Sequence, residues 1–203
     1  MNQKSILSSL FLVVIAVMAI ACSGNKNGDS ASHDHEHQSS SDQEVAESSA
    51  PQFDVSKDFQ NQLAEVFTSY NALKEAFVES DPDKVKSEAA STSQAVASVD
   101  MKLLEGQAHN DWMAYLTPIN NALKQIEGSS DIEKQREAFS TVSDNLYKSI
   151  KAFGLGGKEA FYEYCPMAFN NEGAYWLSDN EKIRNPYFGD KMLNCGTVKE
   201  RLR

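Results

Sequence analysis

The sequence predicts an all-α fold, an antiparallel four-helix bundle with an irregular or short-hairpin C-terminal tail packed on it. Two observations support this prediction. Between residues 53 and 154, apolar side chains recur every three or four positions in four successive segments, separated by short polar or glycine-containing breaks. After Gly156 and Gly157 this period ends, and the chain becomes rich in aromatic residues, Gly, Asn and Pro. Amphipathic helices with short connections form antiparallel bundles, which can support such a tail.

The first two helices are predicted from apolar stripes. Asp81 and Pro82 separate them and provide an N-cap and a first-turn proline for the second helix. The first stripe consists of Val55, Phe59, Leu63, Val66, Tyr70, Leu73 and Phe77, and the second of Val85, Ala89, Thr92, Val96, Val99 and Leu103. The second stripe has little bulk, so larger neighbouring side chains must fill the space against it.

The third helix follows Gly106 and is predicted to end at Gly128, while Pro118 inside it predicts a kink or a late start near Thr117. Residues 130–133 have the pattern of a capping box for the fourth helix, for which Gly154 is the expected C-cap. The stripes are Trp112, Tyr115, Leu116, Ile119, Leu123 and Ile126 for the third helix, and Phe139, Val142, Leu146, Ile150 and Phe153 for the fourth.

The tail, about residues 158–197, contains two segments that predict short strands. Residues 161–164 and 174–177 are rich in aromatic residues, and residues 170–173 between them have the composition of a turn. Residues 185–189, Asn-Pro-Tyr-Phe-Gly, predict a second turn. This segment has no sustained helical period, so we expect it to fold against the bundle.

The N-terminus predicts export. Lys4 precedes an apolar run from Ile6 to Ile20, and residues 19–22 read Ala-Ile-Ala-Cys. This pattern is typical of a lipoprotein signal peptide over residues 1–21, after which Cys22 would be acylated, although Ala19 stands where leucine is usual. The alternative is an ordinary signal peptide that leaves Cys22 as a free thiol. We expect a periplasm-facing lipoprotein in the outer membrane of a Gram-negative-type envelope.

Residues 22–52 predict a disordered polar tether, because they contain almost no large apolar residue, and residues 53–203 then fit one domain. The tether contains His33, His35 and His37 at alternate positions, which are either an auxiliary metal-collecting site or incidental to a solvated linker. The formal net charge of the chain is −10, which argues against nucleic acid as a partner. Membrane attachment would therefore depend on the lipid anchor.

Two cysteines remain once Cys22 is assigned to lipid. Cys165 and Cys195 enclose 29 residues, and a disulfide between them would stabilise the tail by about 3–4 kcal/mol. Each cysteine also has a methionine nearby, Met167 and Met192, and thiolate and thioether ligands favour Cu(I). The residues by themselves leave both alternatives open.

The tail also resembles a known family. The segments that carry the resemblance are Tyr-Cys-Pro-Met at 164–167, Gly-Ala-Tyr-Trp-Leu-Ser at 173–178, Ile-Arg-Asn-Pro-Tyr-Phe-Gly at 183–189 and Met-Leu-Asn-Cys-Gly at 192–196. They are similar to an uncharacterised exported bacterial domain that occurs in lipoproteins and is fused to periplasmic adaptor subunits of copper and silver efflux pumps. Cys-Pro-Met also resembles the opening of small heavy-metal-binding modules, which often continue with histidine where this chain has Ala168.

The resemblance implies an association with copper handling, and it covers about residues 55–197. We expect Cu(I) to be the cofactor, with Cys165, Met167, Met192 and Cys195 as ligands and an efflux adaptor as the partner. His109 is a further candidate ligand if the tail folds over the start of the third helix; otherwise it is a capping or half-buried histidine.

An enzyme is not predicted. The chain has no Glu-x-x-His pair for a di-iron bundle, no Cys-x-x-Cys-His for attached haem and no glycine-rich phosphate loop. The expected function is therefore binding of a soft metal ion for copper sequestration or delivery to efflux. The alternative is a disulfide-stapled interaction module that docks an efflux adaptor or another envelope protein and holds no metal.

Overall fold

A computed structural model of the protein describes residues 45–47 and 50–203. In that part of the chain the four predicted long helices are present, and each packs against the helix that follows it. Contacts between the first and fourth helices close the bundle. The helices are α1 (Lys57–Glu79), α2 (Pro82–Ala97), α3 (Gly106–Glu127) and α4 (Ile132–Phe153), with a short 3-10 helix, Met101–Leu103, between α2 and α3.

Most of the predicted helix ends are confirmed. The Asp81 side chain accepts hydrogen bonds from the main-chain N–H groups of residues 83 and 84, and Pro82 occupies the first turn of α2. Gly128 and Gly154 are the C-caps of α3 and α4. The N-cap of α4 is Asp131 rather than Ser130, because its carboxylate accepts from the N–H groups of residues 133 and 134.

The expected late start of α3 near Thr117 is wrong, because the helix begins at Gly106 and includes Pro118. A proline inside a helix removes the hydrogen bond to the carbonyl four residues earlier. That carbonyl belongs to Ala114, which is exposed, so water can solvate the group that loses its partner.

The core of the bundle combines the predicted stripes with an aromatic cluster at one end. Phe59 of α1 meets the Trp112 ring of α3 edge-on at 5.5 Å between centroids and the Phe153 ring of α4 at 5.2 Å. All three rings are fully buried. This cluster brings together the start of α1, the first half of α3 and the end of α4, and Phe53 stacks on Phe153 from outside.

The prediction of an all-α fold is only partly right, because the tail belongs to a four-stranded mixed sheet. The order of strands is β1-β4-β2-β3; β2 runs antiparallel to both neighbours, and β1 runs parallel to β4. The two predicted strands are confirmed as β2 and β3, and β4 was not predicted. The strands are β1 (Ala46–Glu47), β2 (Ala160–Cys165), β3 (Ala174–Ser178) and β4 (Thr197–Leu202).

The end of the predicted tether is structured. Its residues 46 and 47 form β1, and the main-chain N–H groups of Gln52 and Phe53 donate to the carbonyls of Lys151 and Ala152. Cys22, His33, His35 and His37 lie outside the described residues. Among the helices of the described part, none has the length and apolar character that crossing a membrane requires.

The sheet is joined to the bundle along its β3 edge by the hydroxyl group of Tyr70, a residue of α1. The Leu177 N–H donates to Tyr70 Oη (3.1 Å), which lies 2.7 Å from Ser143 Oγ, and Ser143 in turn donates to the Phe139 carbonyl (3.0 Å). Because the Ser143 hydroxyl donates its proton to the Phe139 carbonyl, the Tyr70 hydroxyl must be the donor in its bond to Ser143 Oγ. Within the tail, the Tyr187 hydroxyl donates to the carbonyl of Tyr175 in the same edge strand at 2.6 Å.

Removing the Tyr70 hydroxyl should loosen this junction. Tyr70→Phe leaves the buried Leu177 N–H without a partner, so the free energy of unfolding should fall by about 1–3 kcal/mol. Urea denaturation measures the change. Tyr115→Phe in α3 is the control, because the Tyr115 hydroxyl forms no hydrogen bond within the described part of the chain, and it should alter stability by less than about 0.5 kcal/mol. Equal effects of the two substitutions would contradict the assigned role of Tyr70.

Candidate functional site

The two tail cysteines meet where the β2–β4 ladder ends. Cys165 is the last residue of β2 and is fully buried, whereas Cys195 is half-buried in the turn that precedes β4. Their sulfur atoms lie 2.6 Å apart. The pairing of Tyr164 with Thr197 in the neighbouring strands brings the two cysteines together, although they are distant in the sequence. The structure therefore joins two of the predicted site residues directly.

The turn that holds Cys195 is organised by Asn185, which is fully buried. Its side-chain amide donates to the Cys195 carbonyl at 2.7 Å, and its main-chain N–H donates to the Leu193 carbonyl at 2.8 Å. The Cys195 N–H donates to the Met192 carbonyl at 3.0 Å, which closes a tight turn. Gly196 follows at φ +148°, where an added Cβ would lie 2.8 Å from the Trp176 ring. A larger residue at position 196 would push the turn away from the sheet.

The tail is also bound to the bundle through Arg136, a buried residue of α4. Its Nε donates to the Pro186 carbonyl at 2.9 Å, and its Nη2 donates to Ser80 Oγ at 2.9 Å. Its Nη1 forms an ion pair with Glu133 at 2.7 Å. One guanidinium thus connects the tail, the end of α1 and the start of α4. The five fixed donors of arginine suit this role, which a lysine could not fill.

Met167 and Met192 line one pocket of about 440 Å³, here called the methionine pocket. Neither cysteine is among its lining residues. The pocket is bounded by Glu133, Glu137, Met167, Ala168, Phe169, Asn170, Asn171, Tyr187, Phe188 and Met192. The structure therefore gathers the four predicted sulfur ligands as two pairs, a cysteine pair in contact and a methionine pair facing a pocket.

One wall of the methionine pocket is a left-handed helical turn, α5 (Ala168–Asn171). Phe169, Asn170 and Asn171 have φ values of 49°, 57° and 71°. A left-handed conformation costs about 1–2 kcal/mol per non-glycine residue and is least unfavourable for asparagine. Phe169 is unusual there, and its ring packs edge-on against Tyr187 at 5.2 Å, which helps to hold it in place. Such strain persists where surrounding contacts determine the backbone.

His109 lies at the other end of the bundle from the sulfur pairs. It is half-buried in the first turns of α3, one turn before Trp112, which packs against the start of α1 and the end of α4. The methionine pocket is bounded by residues from the start of α4. In the described residues, no three His, Cys, Asp or Glu side chains are grouped so that they could hold a metal ion. A site in the tail would therefore depend on sulfur.

The thiol of Cys195 is a weak acid in this environment. Burial raises its pKa above that of an ordinary thiol, and the adjacent Cys165 side chain acts in the same direction. The protonated thiol is therefore the dominant form near neutral pH, and a metal ion must displace the proton to bind. The arrangement can perform two kinds of chemistry, disulfide formation across the 2.6 Å contact and soft-metal binding after the sulfurs separate.

A buried carboxyl group next to the cysteine pair was not predicted from the sequence. Glu163 lies two residues before Cys165 on the same buried face of β2, paired with Trp176 of β3. Within the described residues neither of its carboxyl oxygens has a hydrogen-bond partner, and the same is true of Trp176 Nε1. Burial raises the pKa of Glu163 to about 8, although the Lys74 ammonium and the adjacent Trp176 indole both lower it. The alternation of Phe161, Glu163 and Cys165 along one strand was the available signal.

The comparisons with known proteins concern the bundle. Residues 66–158 match the model of a family described as protein of unknown function (DUF3347). No curated protein and no solved structure matches the chain. The family match is consistent with an uncharacterised domain and ends before Cys165, so it does not include the cysteine and methionine pairs. The lipoprotein and the efflux-adaptor context stay predictions.

Glu163 should make stability depend on pH. Between about pH 4.5 and 8 the folded state retains a proton that the unfolded state has lost, so the free energy of unfolding should fall as pH rises, by up to about 1.4 kcal/mol per unit. Lys74, Glu75 and Asp179 are the charged groups that act on Glu163. Glu163→Gln should remove this contribution and gain stability relative to the unsubstituted protein between pH 5 and pH 8.

Urea denaturation at several pH values measures this difference. Glu172→Gln is the matched control, because Glu172 is exposed in the α5–β3 turn, and it should leave the pH profile unchanged. A Glu163→Gln profile that runs parallel to that of the unsubstituted protein would show that Glu163 is ionised in the folded state.

Proposed function

We propose that this chain is an envelope lipoprotein that binds a soft metal ion through its C-terminal tail, with Cu(I) as the best chemical fit, for copper sequestration or delivery to an efflux system. One observation carries the proposal. Two segments of the tail that are distant in the sequence bring their sulfur-containing residues together as two pairs, with Cys165 and Cys195 in contact at 2.6 Å and Met167 and Met192 lining one pocket. Thiolate and thioether ligands favour Cu(I) over hard ions.

The surroundings of the sulfurs are consistent with a cation. The residues that line the methionine pocket include two glutamates and no lysine, arginine or histidine. The chain as a whole is acidic, with a formal net charge of −10. The charge of this lining therefore suits a cation better than an anion.

Binding by both cysteines requires a small rearrangement. A metal ion held by two bonds of about 2.3 Å at an open angle needs the sulfurs farther apart than the observed 2.6 Å. Cys165 is fixed in β2 and fully buried, whereas Cys195 is half-buried in a turn. We expect the Cys195 side chain to rotate outward when the reduced protein takes up the ion.

An anaerobic Cu(I) titration of the reduced protein against a competing chelator tests the proposal. We use a Cys22→Ser background, so that only the tail thiols are present. The protein should bind a single Cu(I) per chain, and the combined Cys165→Ser and Cys195→Ser variant should bind at least about tenfold more weakly. Unchanged affinity in that variant would rule out the cysteines as ligands. His109→Gln is the control, because His109 lies at the opposite end of the bundle, and it should leave the affinity unaffected.

The second candidate function is an interaction module, stapled by a Cys165–Cys195 disulfide, that docks an efflux adaptor or another envelope protein and holds no metal. The contact between the sulfurs favours this candidate, because little movement is needed to reach a disulfide bond length of about 2.05 Å. A disulfide closing a loop of this length would contribute about 3–4 kcal/mol in the chain-entropy model.

Intact-mass analysis under non-reducing conditions distinguishes the two candidates. If the tail is only stapled, protein isolated without reductant should have the mass of the reduced chain minus two hydrogen atoms, with no metal retained. Reduction of the disulfide should then lower the free energy of unfolding by about 2–4 kcal/mol. Protein isolated with free thiols and a bound soft ion would contradict the stapled module and agree with the metal-binding proposal.

A further inference from the structure

The methionine pocket presents two thioethers that come from different segments of the tail. Met167 precedes α5, and Met192 follows the 3-10 helix Gly189–Lys191. The Met167 side chain is 45% exposed and that of Met192 is half-buried, so both are within reach of a ligand from solvent. The volume of about 440 Å³ falls within the usual range for small-ligand sites. The cysteine pair is not part of this lining.

We propose that Met167 and Met192 form a separate thioether site for a soft monovalent cation, Cu(I) or Ag(I), and that this site remains available when Cys165 and Cys195 are joined in a disulfide. The ion class rests on the proposed function of the tail. The new content is a division of roles in the oxidised protein, in which the cysteines hold the tail together and the methionines bind the ion.

The oxidation chemistry separates the two sulfur pairs. Two thiols and one low-molecular-weight disulfide, such as oxidised glutathione, give the protein disulfide and two small thiols, so the two electrons and two protons pass to the reagent. The sulfurs of Cys165 and Cys195 are already 2.6 Å apart, which leaves no room for an ion between them. Thioethers take no part in this exchange, because they have no thiol proton to lose. They remain soft ligands in an oxidising compartment.

The disulfide would also help to position the methionines. Met167 lies two residues after Cys165, and Met192 lies three residues before Cys195. A bond between the cysteines therefore restricts how far the two thioether-bearing segments can separate. The left-handed turn α5 holds the segment that follows Met167, and the Asn185 hydrogen bond holds the segment that contains Cys195. Such preorganisation lowers the loss of conformational entropy that accompanies binding.

The charge at the rim of the pocket fits a cation. Glu133 is ion-paired with Arg136, whereas Glu137 has no ion pair within the described residues. The lining also includes three aromatic side chains, those of Phe169, Tyr187 and Phe188. Such a lining could also suit an organic cation through contact with ring faces. The two thioethers favour the soft metal ion, because they add ligands that an ammonium group cannot use.

The test uses the disulfide form of the Cys22→Ser protein, prepared with oxidised glutathione and freed of excess reagent. Calorimetric titration of this protein with silver nitrate in chloride-free buffer should show that each chain binds a single Ag(I) ion. The combined Met167→Leu and Met192→Leu variant should lose at least about tenfold in affinity, while its thermal unfolding stays unchanged because leucine conserves the volume.

The matched control replaces two exposed methionines outside the pocket. Met101 and Met113 are 40% and 37% exposed, and the combined Met101→Leu and Met113→Leu variant should bind Ag(I) as the parent does. Equal losses in the two double variants would overturn the proposal, because the binding would then be unspecific. Binding of tetramethylammonium by the disulfide form, without binding of Ag(I), would overturn it in favour of an organic cation.

The outcomes separate this proposal from the function on which it rests. If the disulfide form binds no Ag(I) while the reduced protein binds Cu(I) through its cysteines, the methionine site fails and the proposed function stands. If the disulfide form binds Ag(I) through the methionines while cysteine substitution leaves Cu(I) affinity unchanged, the methionine site stands and the four-sulfur site fails.

Discussion

The Tyr70 hydroxyl group is the interaction on which the tail depends. It accepts from the Leu177 main chain and donates to Ser143, so one buried oxygen satisfies the edge of the sheet and joins it to two helices. An edge strand buried without such partners would leave main-chain groups unsatisfied, at a cost comparable to a lost hydrogen bond each. The bundle thus provides the tail with polar partners as well as an apolar surface. Arg136 of α4 is another such partner, because its guanidinium donates to the Pro186 carbonyl.

This junction explains how a short tail can present sulfur atoms precisely. The strands β2 and β4 bring the cysteines into contact. The segment between β2 and β3 carries Met167, and the segment between β3 and β4 carries Met192, to a common pocket. Both candidate functions use the same architecture, because a staple and a soft-metal site need sulfurs that meet across chain-distant segments. What distinguishes them is the oxidation state of the cysteines and the occupancy of the methionine pocket.

Several charged or polar groups are buried beneath the sheet at an energetic cost. Lys74 is almost fully buried, donates to Ser178 at 3.1 Å and is ion-paired with Glu75, whereas the oxygens of Glu163 have no such partner in the described structure. Burial without partners makes the neutral carboxylic acid the favoured form of Glu163. An apolar residue of similar size would be expected to pack there at lower cost. The contribution of Glu163 to stability therefore does not explain its presence in the buried part of the tail.

Local patterns in the sequence are sufficient to predict the bundle, because the 3.6-residue period, the Asp81 cap and the Gly128 and Gly154 ends act within a few residues along the chain. The sequence also indicated the β2–β3 hairpin and identified all four sulfur residues of the tail. Only the tertiary structure revealed β4, whose charged, half-exposed residues 197–202 resemble a surface segment until they pair with β2. The tertiary structure also showed that the sulfur atoms form a contacting cysteine pair and a separate methionine pocket. It placed His109 at the far end of the bundle. Pairing across a sheet is set by contacts between distant residues, which no local pattern in the chain encodes.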